Sequence, residues 1–98
     1  MDLNVALKRI IEIGKIEIGT EKTIDKIMNG DARLVIISSN CPKKTREKIE
    51  KFAKVENVPI INYPGTSLQL GEACGKPFVI ASLSVIDSGG VQLGELKV

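Results

Sequence analysis

LVIISSNCPKKTREKIEKFAK, residues 34–54, is an apolar run that passes directly into an amphipathic helix. The segment 34–38, LVIIS, is continuously apolar up to Ser38 and flanked by polar residues, the pattern of a strand covered on both faces. Asn40 suits the cap of the helix that follows, and Pro42 suits its first turn. Ile49, Phe52 and Ala53 give that helix one buried stripe. The helix start runs against the dipole. Lys43, Lys44 and Arg46 occupy the end where carboxylates are favoured, and each cation there opposes the dipole by about 0.3–1 kcal/mol. An external anion would reverse that penalty; a pair of solvated lysines is the plainer reading. Further along, Glu47 and Glu50 stand four residues before Lys51 and Lys54, the spacing of ordinary surface ion pairs.

The rest of the chain repeats this alternation. Leu3, Leu7, Ile10 and Ile11 fall at helical spacing and Gly14 follows as a stop. In KIEIG, Ile16 and Ile18 alternate with charge, a short strand that Gly19 ends. Ile24, Ile27 and Met28 predict a second helix closed by Asn29-Gly30. After the 34–54 unit, Asn57 ends the helix and VPIIN reads as another strand. Pro64-Gly65 turns the chain, and Thr66 with Gln69 fits a capping box for a short helix ending near Gly75. FVIASLSVI, 78–86, reads as the last buried strand, then a turn at 87–90 and a weakly apolar tail. The order αβαβαβαβ argues for a mainly parallel or mixed sheet with helices on both faces. The 98 residues suit one domain, 1–98, without linker or repeat.

Composition narrows the function classes. A hydrophobic fraction of 43% supports a real core and opposes disorder. Net charge is only +2, yet 12 of the 14 Lys and Arg lie between Lys8 and Lys54, so a basic patch can exist without a basic protein. No apolar run approaches the roughly 18 residues of a membrane helix, and MDLNVALKR lacks the character of a leader peptide. The sequence has no His and only two cysteines, Cys41 and Cys74, too few ligands for a zinc site. Two such thiols suggest a reducing cytosol, with a disulfide left open. Cys41 near a helix start and beside lysines is the setting of a lowered thiol pKa, but no His is present to act as base. A small thiol-dependent enzyme is therefore the alternative from another class.

In a sheet of this kind ligands bind where strand C-termini lead into helices. Three such segments stand out. In IGTEKT, Gly19 permits close approach of a partner, the amides of Thr20, Glu21 and Lys22 can hold an anion, and Lys22 and Lys26 form a like-charge pair. SSNCPKKTR is the second. The third, ACGKPFVI, sets Lys76 and Pro77 beside Phe78 and Val79; Phe78 reads either as core or as a platform for a stacked base. There is no GxGxxG or Walker motif.

Three motifs taken together, G-T-E-K-T-I-D-K-I-M-N-G (19–30), I-I-S-S-N-C-P (36–42) and L-G-E-A-C-G-K-P-F-V (70–79), resemble the thirty-e family of archaeal and eukaryotic large-subunit ribosomal proteins. That family lies within the wider superfamily of kink-turn RNA-binding proteins, and the resemblance covers nearly the whole chain. It implies a three-layer α/β/α sandwich around a small mixed four-stranded sheet, no catalysis and no cofactor or metal. It also implies binding to ribosomal RNA at a sharply bent internal loop beside sheared G·A pairs, on the cytoplasmic ribosome, among neighbouring ribosomal proteins and with a monomer when free. By that similarity Gly19, Thr20, Glu21, Lys22 and Lys26 would enter the RNA groove. Asn40 would meet the bend, with Pro42, Lys43, Lys44 and Arg46 near the backbone. Lys76, Pro77, Phe78 and Val79 would pack on an extruded nucleotide. Glu21 departs from the basic or amide residue common among relatives, and a carboxylate cannot donate to a guanine acceptor. Members serving guide-RNA modification particles or RNase P, the nearer alternative, carry an Asn-Glu pair where this chain has Glu21-Lys22.

Overall fold

The computed structural model describes residues 2–95. Its elements alternate as α1 (Leu3–Ile13), β1 (Lys15–Ile18), α2 (Thr20–Met28), β2 (Leu34–Ile37), α3 (Lys43–Val55), β3 (Ile60–Asn62), α4 (Ser67–Ala73) and β4 (Ser82–Asp87), with a 3₁₀ turn at Leu93–Glu95. The end of the expected apolar tail, 96–98, lies outside the described residues.

Strand β2 is central in both senses. Its four residues are all buried; Leu34 and Ile36 pack into one apolar cluster, Val35 and Ile37 into another. Alternate side chains of a strand point to opposite faces, so a strand covered twice must be apolar throughout. The sheet order is β1-β4-β2-β3, with β4 antiparallel to both β1 and β2, and β3 parallel to β2. The first cluster joins α1 and α4 to one face through Leu3, Leu7, Ile10 and Leu70. The second joins α2 and α3 to the other through Ile24, Ile27, Ile49 and Ala53. The result is an α/β/α sandwich with a mixed four-stranded sheet. Cys41 and Cys74 are both free and sit in the clusters on opposite faces, so they do not pair.

Two local expectations need correction. The last strand begins at Ser82, not at residue 78. Residues 78–81 leave the ladder and cross the end of the sheet instead: Ile80 N–H bonds to Ser67 O at 3.0 Å and Ala81 O accepts from Ser38 N at 2.9 Å, while Phe78 and Val79 remain exposed. Within β4 itself, apolar Leu83 and Val85 alternate with the buried hydroxyls of Ser82 and Ser84. The second correction concerns Asn40. It does not cap α3, whose N-cap is Pro42 and which has no side-chain cap. Its side-chain oxygen accepts from Ser67 N at 2.8 Å and from Ser38 Oγ at 3.2 Å, tying the loop after β2 to the start of α4. Pro42, expected in the first turn, stands one place earlier as the N-cap, with φ −53° and ψ 139°.

Candidate nucleic-acid interface

Strands β1, β2 and β3 run the same way, so their C-terminal ends, and the starts of α2, α3 and α4 that follow, share one end of the sheet. Antiparallel β4 brings its first residue there too. Backbone bonds fasten the segments together: Gly19 N to Ser82 O at 3.0 Å, Ser38 N to Ala81 O at 2.9 Å, Ser39 N to Gly65 O at 2.9 Å. Thr20 Oγ1 lies 3.3 Å from Ser82 Oγ. Gly19, Asn40 and the 78–81 crossing are thus stitched to a single edge of the molecule.

At the α2 tip, Gly19 takes φ +108°, a region side-chain-bearing residues rarely adopt, and among the described residues nothing beyond its chain neighbours lies within 4 Å of where its Cβ would be. The tip has a bare surface and no side-chain cap. The amides of Thr20, Glu21 and Lys22 are the orphan donors every helix start leaves. Glu21 is exposed in this first turn, where its charge complements the dipole, and Lys22 is exposed beside it.

At the α3 tip, Lys43 and Lys44 are exposed, and no acidic residue lies in the first turn. Lys43 Nζ is 3.9 Å from Glu47, a pair between side chains 88% and 62% exposed, so solvent leaves it a weak partner. Arg46 behaves differently. Its guanidinium donates to Ser38 O at 2.7 Å and to Asn62 Oδ1, clamping α3 to the ends of β2 and β3. It braces the loop rather than presenting a free charge. Asn40, with its oxygen engaged, keeps its amide N–H₂ donors in an exposed position.

The third segment lies along α4. A Cβ on Gly71 would fall 2.0 Å from Phe78 O, so only glycine lets the loop lie this close. Pressed there, Pro77, Phe78 and Val79 are exposed, Phe78 at 49%. Lys76 is half-buried, its amide held by Gly71 O at 2.9 Å. Lys26 is not brought to the tip. It sits in the last turn of α2, about 9 Å along the axis from Thr20 at ~1.5 Å per residue, and lies 4.0 Å from Asp31.

Several contributors were not evident from the sequence. Ser38, Asn62 and Ser82 hold the tips in place, and exposed Leu68 stands in the turn of α4 to which Ile80 is tied. The capping box at Thr66 and Gln69 was the available clue to Leu68, since it fixes where that helix begins. Neither thiol is activated. Burial pushes the Cys41 thiol up more than the nearby Arg46 charge pulls it down, and burial pushes Cys74 up to about 11. That is the opposite of a nucleophile's tuning. No helix among the described residues is long and apolar enough to cross a membrane.

Comparison with known proteins places the chain in a family. Residues 1–93 match the model of the family described as "Ribosomal protein L7Ae/L30e/S12e/Gadd45 family". The chain is similar to the protein named "Large ribosomal subunit protein eL30" of Methanocaldococcus jannaschii, 38% identical over 98% of this chain and 87% of that one. The protein of the same name from Methanopyrus kandleri is 42% identical over 85% and 76%, respectively. Among solved structures, one described as a protein with unknown function from Bacillus halodurans superposes with a TM-score of 0.80 at 26% identity, covering 88% of this chain and 85% of that one.

Proposed function

This chain belongs to the ribosomal protein L7Ae/L30e/S12e/Gadd45 family, and on that basis we propose that it is a structural, non-enzymatic constituent of the large ribosomal subunit. Its partner there is ribosomal RNA, bound at a kink-turn or related bent internal loop, with other ribosomal proteins as neighbours and a monomer when free. Relatives 33–42% identical that carry the name of a large-subunit protein support the ribosomal role.

The observation that carries the RNA reading is the junction of two uncapped helix tips, one with Lys22 and one with Lys43 and Lys44, beside an exposed Phe78–Val79 loop. Orphan amides and ammonium groups suit phosphates. An exposed aromatic suits an unstacked base, and irregular, splayed sites are what proteins read in RNA. In this reading Gly19 allows the backbone to approach, Thr20 and Lys22 meet the RNA, and Asn40 offers its amide to the bend. Glu21 accepts from base amino groups or faces solvent, and Pro42 shapes the entrance.

The test is affinity for a kink-turn RNA against a straight duplex of equal length over a salt series. The expected result is preference for the bent RNA and a log–log salt slope of about −0.7 to −0.9 per phosphate contacted. Absence of binding to either RNA at low salt would overturn the reading.

A further inference from the structure

The outer surface of α3 has two flanks of unlike charge pattern. Lys43, Glu47, Glu50 and Lys54 follow at steps of four, three and four, mixing signs along one flank. Lys44, Lys48 and Lys51, at steps of four and three, make the adjoining flank, and all three are exposed. Glu47 stands four residues before Lys51 but pairs back to Lys43 instead. Among the described residues, no ion pair reaches Lys44, Lys48 or Lys51. Like charges at these spacings oppose the helix that carries them by about 0.2–0.5 kcal/mol a pair.

Its position gives it an occupant. The flank begins at Lys44, in the tip turn, and continues about 10 Å toward the C-terminus at ~1.5 Å per residue. At roughly 100° per residue, Arg46 projects from the other side of α3, where it reaches Asn62 on the edge strand. The lysine flank therefore turns away from that edge and toward α2, which packs beside α3.

We infer that Lys44, Lys48 and Lys51 form a phosphate track that carries the RNA interface beyond the bend, along the backbone of a flanking stem. This rests on the RNA reading above, and the charge is complementary to a phosphate row and continuous with the α3 tip. The track takes a stem of any sequence, since phosphate contacts position without reading bases.

The test uses the full chain and two kink-turn RNAs, one with a flanking stem of about four base pairs and one of about twelve. Wild type binds the long-stem RNA with the steeper salt slope. Lys48→Gln with Lys51→Gln makes the slope on the long stem shallower by about 1.4–1.8 and leaves the short stem unchanged. The affinity gap from wild type then narrows about tenfold between about 50 and about 200 mM salt. Lys54→Gln, on the mixed flank, changes neither slope. Equal wild-type slopes on the two RNAs, or a double variant matching wild type on the long stem, overturns the track while the bent-RNA reading stands. Absence of wild-type binding to both RNAs overturns both.

Discussion

Helices α1 and α4 begin with a side-chain cap; α2 and α3 do not. Asp2 accepts from Val5 N at the start of α1, and Thr66 and Gln69 cap α4 reciprocally, at 3.3 and 2.8 Å. These two cover one face of the sheet. On the other face, α2 starts at Gly19 and α3 at Pro42, neither with a side-chain acceptor. The difference is not one of location, because α2, α3 and α4 all start from the same end of the sheet, and Asn4 of α1 joins it through the Tyr63 hydroxyl at 2.7 Å. Capping is worth about 0.5–2 kcal/mol per helix. Two adjoining starts that forgo it, and add lysines, are arranged for something other than the stability of the free chain.

Substitutions can break or sharpen that contrast. The largest expected effect is from Lys43→Ala with Lys44→Ala. Affinity for kink-turn RNA should fall more than tenfold at about 0.1 M salt, with a slope shallower by about 1.4–1.8. Thermal stability should hold or rise, because the two cations oppose the α3 dipole. Unaltered affinity and slope would reduce the basic turn to solvated surface. Next, Phe78→Ala should weaken RNA binding by about 1–3 kcal/mol through lost stacking, while chemical denaturation shows a smaller loss of stability from a half-exposed side chain. Loss of stability with binding intact in the folded fraction would return Phe78 to the core.

On the capped side the signs exchange. Thr66→Ala should cost about 1 kcal/mol of stability in a denaturant titration and leave the salt slope for RNA untouched. A further contrast lies in a buried thiol and shows only at alkaline pH. Folding holds Cys74 protonated up to about 11 against an ordinary value of 9.0. Its folded value is the higher one, so its contribution is complete below pH 9 and declines as pH rises from about 9 toward 11. A stability profile against pH in Cys74→Ala should decline less steeply over that window, with buried Cys41 and Tyr63, also raised, supplying the remainder. A profile identical to wild type would assign the decline to other groups.

How far these features could be read from sequence follows from the range of the interactions. The doubly covered β2, the Asn29-Gly30 stop and the Thr66–Gln69 box depend on neighbours within a few residues, and local patterning displays them. Asn40 has the chemistry of a cap and sits just ahead of a helix, yet its partner Ser67 is 27 residues away. Arg46 resembles Lys43 and Lys44 in the sequence, but its reach to Ser38 and Asn62 separates it from them. The run 78–86 looks like one strand because its first residues are apolar; residues 78 and 79 instead lie against Gly71, where a Cβ would meet Phe78 O, and stay outside the sheet. Lys26 has the right spacing from Lys22 but is drawn to Asp31 at the far end of α2.

The contrast between helix starts is most directly examined amide by amide. In ¹⁵N–¹H spectra of the labelled chain titrated with kink-turn RNA, the largest shifts and the strongest protection from exchange should fall on Thr20, Glu21, Lys22, Lys43 and Lys44. Val5 and Gln69, the amides already engaged at the starts of α1 and α4, should barely move. If instead the perturbations gather on α1 and α4 and spare the two uncapped tips, the account of where and why this protein meets RNA is wrong.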